Sequence, residues 1–98
     1  MEYEVEVTES ALDDLDYLKK AERNAILDEI ENQLTATPLT PTRNRKPLRP
    51  NKLSAWEMRV GLFRVFYDVD EEAGKVVVKA VGRKEHNKLF IRGKEYEL

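Results

Sequence analysis

The chain has 98 residues, of which 41% are hydrophobic and 37% charged, with a formal net charge of −2. That length suits one domain over 1–98 with a single modest core, in which roughly 60–70% of the unfolded surface is buried. The absence of cysteine and the presence of a single histidine, His86, exclude disulfides, thiolate metal sites and multi-histidine metal sites, so no cofactor is expected.

The opening MEYEVEVTES is acidic and lacks the basic start and apolar core of a secretory signal. No apolar run approaches the roughly 18 residues that span a bilayer. A cytoplasmic protein without membrane contact is expected. Within 2–7, Tyr3, Val5 and Val7 alternate with Glu2, Glu4 and Glu6, which predicts a half-exposed strand. Thr8 is suited to cap a following helix, with Glu9 at its positive end. Ala11, Leu12, Leu15 and Leu18 recur at helical spacing. After a break near Lys20–Glu22, Ile26, Leu27, Ile30 and Leu34 form a second apolar stripe. Two helices so closely joined predict an antiparallel helix hairpin.

Residues 35–54 contain all four prolines, Pro38, Pro41, Pro47 and Pro50, and read as a long surface loop. Loops of this length in small domains often carry function. Three strands are expected next, over about 54–60, 62–69 and 75–82. A two-residue turn at Gly61-Leu62 pairs Val60 with Phe63, Met58 with Val65 and Trp56 with Tyr67. All six are apolar or aromatic and share the face that meets the helices. Ala55, Glu57, Arg59, Arg64, Phe66 and Asp68 fall on the other face. A slip of one residue would scramble this sorting. In the third strand Val76, Val78 and Ala80 continue the core face, while Val77, Lys79 and Val81 face away. Arg92-Gly93 sits between two short extended pieces and suggests a terminal hairpin. The fold class is therefore α+β, in the order β-α-α-β-β-β, with a helix hairpin on one face of a mostly antiparallel sheet and the other face open.

Charge divides along the chain. Residues 1–36 carry eleven acids and three bases, and residues 37–98 carry eight acids and fourteen bases. Between 43 and 64 stand Arg43, Arg45, Lys46, Arg49, Lys52, Arg59 and Arg64 against one acid, Glu57. A clustered basic stripe is the footprint of a polyanion partner, and it is equally the make-up of a solvated loop balancing acidic helices. The hairpin register sets Arg59 directly opposite Arg64. A like-charged cross-strand pair destabilises by up to about 1 kcal/mol. An anion between the two would relieve it, and so would a surface network with Glu57 and Asp68. The segment Val81-Gly82-Arg83-Lys84-Glu85-His86 leaves the third strand nearby and adds two bases and the histidine.

The stretch WEMRVGLFRVFYDVD followed by VVVKAVGRK, with YEVEVTESALDDLDYL before it, resembles the RelE/ParE superfamily of bacterial toxin-antitoxin toxins over nearly the whole chain. The resemblance implies a RelE-like fold and a cognate antitoxin as partner. It implies metal-independent cleavage of messenger RNA, usually at the ribosome, by attack of the RNA's own 2′-hydroxyl on the adjacent phosphorus. By the same resemblance Arg64 corresponds to the phosphate-binding arginine of the central strand. Arg59 falls where a RelE-type lysine stands, and Arg83 or Lys84 where a basic residue follows the VG element. Arg43, Arg45, Lys46, Arg49 and Lys52 would hold RNA backbone. The chain departs from the pattern at Glu57, where RelE-type enzymes have a second strand lysine, and at Phe90, where they have a tyrosine. His86 is a candidate acid/base in place of that tyrosine, and Glu57 a candidate base. ParE-like members inhibit DNA gyrase by binding, without chemistry of their own. That activity and a catalytically degenerate binding module of the same fold are the alternatives.

Overall fold

The computed structural model describes residues 2–98. Strand β1 (Glu4–Val7) leads into helix α1 (Glu9–Asp16) and helix α2 (Lys20–Glu29), whose last turn, Ile30–Leu34, widens to π-helical geometry. Six strands follow: β2 (Arg45–Pro47), β3 (Trp56–Val60), β4 (Phe63–Asp70), β5 (Lys75–Glu85), β6 (Lys88–Ile91) and β7 (Lys94–Tyr96). Strands β2 to β7 lie side by side in chain order, each antiparallel to the next, while β1 runs parallel to β5. The fold is α+β, two helices on one face of a mostly antiparallel sheet. No helix among the described residues is long and apolar enough to cross a membrane.

The helices begin where local chemistry satisfies their free amides. The Thr8 hydroxyl accepts the Ala11 N–H at 3.1 Å and so caps α1 as expected. The break comes earlier than expected, at residues 17–19. There the Glu22 carboxylate accepts the Lys19 N–H at 3.2 Å, which ties down the first turn of α2. Ala11, Leu15, Ile26, Ile30 and Leu34 enter the core. Ile30 and Leu34, four residues apart, fall on one side of the helical segment and are both buried. Leu12 and Leu27, expected in the two stripes, are instead exposed.

The β3–β4 hairpin has the expected register: Val60 faces Phe63, Met58 faces Val65 and Trp56 faces Tyr67. The Trp56 and Tyr67 rings stack with centroids 6.0 Å apart. Gly61 takes φ +58° at the turn, a conformation that glycine adopts without steric penalty. The terminal hairpin also forms, through Arg92 and Gly93 with φ of 50° and 77°, as a type I′ turn requires.

Three features depart from the sequence reading. The proline-rich loop contains β2, which pairs with β3 at the sheet edge, where Pro47 is tolerated. Strand β5 carries a bulge: Phe66 faces Ala80 but Tyr67 faces Val78, leaving Lys79 without a cross-strand partner. One extra residue reverses the facing of everything after it. Val81 therefore joins the helix-side core, and Ala80 turns to the other face. Finally, that other face is not bare. Phe66, Ala80 and Leu89 form a second small core, covered by Leu48 and Leu53 of the loop and by Ile91 and Tyr96 of the terminal hairpin.

Strand β5 also shares one edge between two partners. Strand β1 pairs along 75–78 and β6 along 83–85. In the gap between them the buried Asp14 carboxylate accepts the Val81 N–H at 3.0 Å and meets Arg92 Nε at 2.9 Å. A helix side chain thus satisfies a backbone donor that no strand reaches.

Candidate functional site

On the face away from the helices, beside the second core, lies a depression of about 220 Å³ lined by Arg43, Asn44, Lys46, Glu57, Arg59, Arg64 and Lys84. Its geometry follows from sheet rungs. Lys46 on β2 faces Glu57 on β3, which faces Phe66 on β4. On a neighbouring rung Arg59 faces Arg64, which faces Gly82 on β5. Five cations and one carboxylate, drawn from β2 to β5 and the preceding loop, thus surround one small space.

Each group is held differently. Arg64 Nη1 donates to the carbonyls of Gly61 at 3.0 Å and Phe63 at 2.9 Å, so the hairpin turn anchors one arm of its guanidinium. Burial pushes the Arg64 guanidinium below its ordinary pKa, the Glu57 carboxylate pulls it back up, and the neighbouring Arg59 pushes it down. Arg59 is more exposed and Nη2 donates to Asn44 Oδ1 at 3.4 Å, while its backbone N–H bonds to the Asn44 carbonyl at 2.7 Å. The Glu57 side chain is only 8% exposed, and Lys46 Nζ lies 3.9 Å from its carboxylate.

The salt-bridge alternative for the arginine pair does not hold in this geometry. Asp68 accepts the Ala55 N–H at 2.6 Å and lines a different depression. Among the described residues neither Arg59 nor Arg64 has a carboxylate within 4 Å. Around a single buried carboxylate the pocket keeps a surplus of positive charge, and a doubly liganded anion such as a phosphodiester fits that surplus.

Several sequence-derived candidates lie elsewhere. The bulge at Lys79 turns Lys84 into the pocket and Arg83 to the helix side. There Arg83 sits over the Phe63 ring at 5.8 Å, with Nε 2.9 Å from Glu85. Arg45 is buried rather than free to hold a ligand: Nη1 donates to the Gln33 carbonyl and the Thr37 hydroxyl, each at 3.0 Å. It ties the loop to the end of the helical segment. His86 occupies the β5–β6 turn with φ 50° and does not line the pocket. Phe90 pairs with Arg83 and borders a helix-side groove with Asp14 and Tyr17. Arg49 and Lys52 lie along a neighbouring depression with Lys79. Asn44 as a pocket wall and Lys46 as the ion-pair partner of Glu57 were not foreseen. Both depend on β2, whose prolines conceal it in the sequence.

Sequence comparison with curated proteins finds no significant match. A family model described as the ParE toxin of the parDE type II toxin-antitoxin system matches residues 5–87. Among solved structures, the RelBE2 toxin-antitoxin complex of Mycobacterium tuberculosis contains a chain similar to this one at 30% identity. That match has a TM-score of 0.75 and covers 86% of this chain and 100% of the other. The archaeal RelE-RelB complex of Pyrococcus horikoshii matches at 21% identity and TM-score 0.70, over 88% and 99% of the two chains. The intact Escherichia coli RelBE complex matches at 21% identity and TM-score 0.52, over 86% and 99%. The last two bear on the fold. The family model and the mycobacterial relative bear on descent, and by them this chain belongs to the RelE/ParE superfamily as a toxin of a type II toxin-antitoxin module.

Proposed function

We propose that this toxin is a metal-independent endoribonuclease that cuts messenger RNA, with the scissile phosphate held in the pocket between Arg59 and Arg64. The observation that carries the reading is the convergence of Arg43, Lys46, Arg59, Arg64 and Lys84 around the single carboxylate of Glu57. In the reaction the 2′-oxygen forms a bond to phosphorus while the bond from phosphorus to the 5′-oxygen breaks. Glu57 takes the 2′-hydroxyl proton, and an ammonium of Lys46 or Lys84 delivers one to the leaving oxygen. The products are a 2′,3′-cyclic phosphate and a 5′-hydroxyl. Arg59 and Arg64 balance the charge that builds on the phosphorane oxygens, and the half-buried Arg64 acts more strongly there than it would in open water. The rungs fix these groups before substrate arrives, which favours in-line geometry.

The test is induced expression in a bacterium with mapping of messenger RNA 5′ ends. New ends on translated messages that vanish in Arg64→Ala support cleavage. The match to the ParE family model favours a second reading, inhibition of DNA gyrase by binding alone. Growth arrest with intact messages and trapped gyrase cleavage complexes would establish that reading and refute the first. The three similar structures are complexes with antitoxins, and a cognate antitoxin that folds on binding is the proposed protein partner here too.

A further inference from the structure

Two further depressions lie in succession beyond the basic pocket, linked to it through shared lining residues. One of about 360 Å³ is lined by Lys46, Pro47, Leu48, Arg49, Pro50, Asn51 and Leu98. Lys46 is common to it and to the pocket. The next, of about 430 Å³, shares Leu48, Arg49, Pro50 and Asn51 with it and adds Lys52, Asp68 and Lys79. Three concavities thus follow one another along the proline-rich loop, each sharing lining residues with the next.

Positive charge is spaced along this path. Among the described residues Arg49, Lys52 and Lys79 have no carboxylate within 4 Å, and all three are exposed. Asp68, the acidic side chain among those lining the two outer depressions, is engaged with the Ala55 N–H at 2.6 Å. The loop carrying Arg49 and Lys52 is held by its own hydrogen bonds. Asn51 Oδ1 accepts the N–H groups of Leu53 at 2.7 Å and Ser54 at 3.1 Å, while Nδ2 donates to the carbonyls of Arg49 at 2.7 Å and Ser54 at 2.9 Å. Leu48 and Leu53 anchor the loop in the second core, and the intervening bases remain outside it. Apolar surface from Pro47, Leu48, Pro50 and Leu98 lies between the cations. Holding a strand here requires little further ordering of the protein.

We propose that this surface is a track for single-stranded RNA. It begins at the phosphate pocket, passes Lys46, Arg49 and Lys52, and ends at Lys79, the residue freed by the bulge. The track rests on the reading of the pocket as an RNA site and extends it to the substrate's neighbouring nucleotides. The bulge then serves both ends, turning Lys84 into the pocket and presenting Lys79 to the track. Cations alternating with apolar surface match a single strand, whose phosphates and bases are both accessible, better than a duplex, whose bases are stacked inside.

The experiment measures binding of 2′-O-methyl RNA oligomers of two, four and eight nucleotides, which cannot be cut by 2′-hydroxyl attack. Affinity should rise with length, and the salt dependence should steepen. Each single-strand phosphate contact contributes about 0.7 to the slope of log K against log salt. The combined variant Arg49→Ala, Lys52→Ala, Lys79→Ala should lower the octamer slope by about 2, with a loss that grows with oligomer length. Lys79→Glu, a single exposed change, should weaken octamer binding by itself. An unchanged octamer slope in the triple variant, with binding still lost in Arg64→Ala, would overturn the track and leave the pocket reading intact. No octamer binding by the wild-type chain would overturn both. Equal slopes for duplex and single-stranded octamers would overturn the single-strand assignment. Loss of polyglutamate binding with RNA binding unaltered would assign the surface to an acidic protein instead.

Discussion

Gly82 lies where the terminal hairpin crosses β5, and replacing it with alanine tests whether the second core is seated as described. A Cβ at this position would stand 2.8 Å from Leu89 Cδ1, 2.8 Å from the Phe90 carbonyl oxygen and 3.1 Å from Ile91 Cγ1. The leucine methyl can rotate away, but the Phe90 oxygen belongs to the backbone of β6. Relief requires β6 to retreat by several tenths of an ångström, beside the Arg83–Phe90 pair. Overpacking of this kind costs about 1–3 kcal/mol. Where space is open, Gly→Ala in a permitted conformation instead stabilises by about 0.4–1 kcal/mol through the unfolded chain. The two readings therefore differ in sign. Gly82→Ala should lower the denaturation midpoint at unchanged m-value, and should lower Tm by roughly 4–8 °C for each kcal/mol lost. A variant as stable as wild type, or more stable, would refute the close seating of the hairpin. Gly82 also faces Arg64 across the β4–β5 pair, so the substitution lies next to the basic pocket.

Three other outcomes follow from the polar groups in the interior. Arg45→Ala removes the donor to the Gln33 carbonyl and the Thr37 hydroxyl and should destabilise by about 1–3 kcal/mol in urea denaturation; a neutral result would mean that Arg45 is not the tie between loop and helix. Burial pushes the Tyr67 phenol up to about 12, and its hydroxyl donates to the Pro38 carbonyl at 2.8 Å. Its contribution to stability is present below pH ~10 and lost as pH rises through the raised value, so ultraviolet titration should find one tyrosine ionising only with alkaline unfolding. Burial also raises the Asp14 pKa, against the opposing pull of the Val81 N–H and of Arg92. A carboxyl whose folded pKa is raised favours the folded state most when protonated. Wild type should therefore gain stability relative to Asp14→Asn as pH falls from neutral through the raised folded pKa towards 3.8; a difference independent of pH would refute the assignment.

How much of this was legible in the chain depends on the range of the interaction concerned. The β3–β4 register was legible because three apolar cross-strand pairs and a glycine turn agree on one alignment. The Thr8 cap and the Arg92-Gly93 turn were legible because a single side chain or a φ preference decides each locally. The pairing of Arg59 with Arg64, the center of the candidate site, followed from that register alone.

The rest required the assembled sheet. Strand β2 is only three residues long and ends on a proline, and it exists because the edge of β3 offers it partners. The run VVVKAVGRK alternates equally well with or without a bulge, so the residue left over at Lys79 is decided by how β5 meets β4. That one residue determines whether Arg83 or Lys84 faces the basic pocket around Arg59 and Arg64. Arg45, Arg49 and Lys52 look alike in sequence, yet one is buried as a structural tie and the others line an open path. Sequence by itself determined the local elements and the central arginine pair, because turn chemistry and side-chain alternation act over a few residues. Tertiary structure decided which cations share a face, because facing reverses with each inserted residue and burial depends on elements distant in the chain.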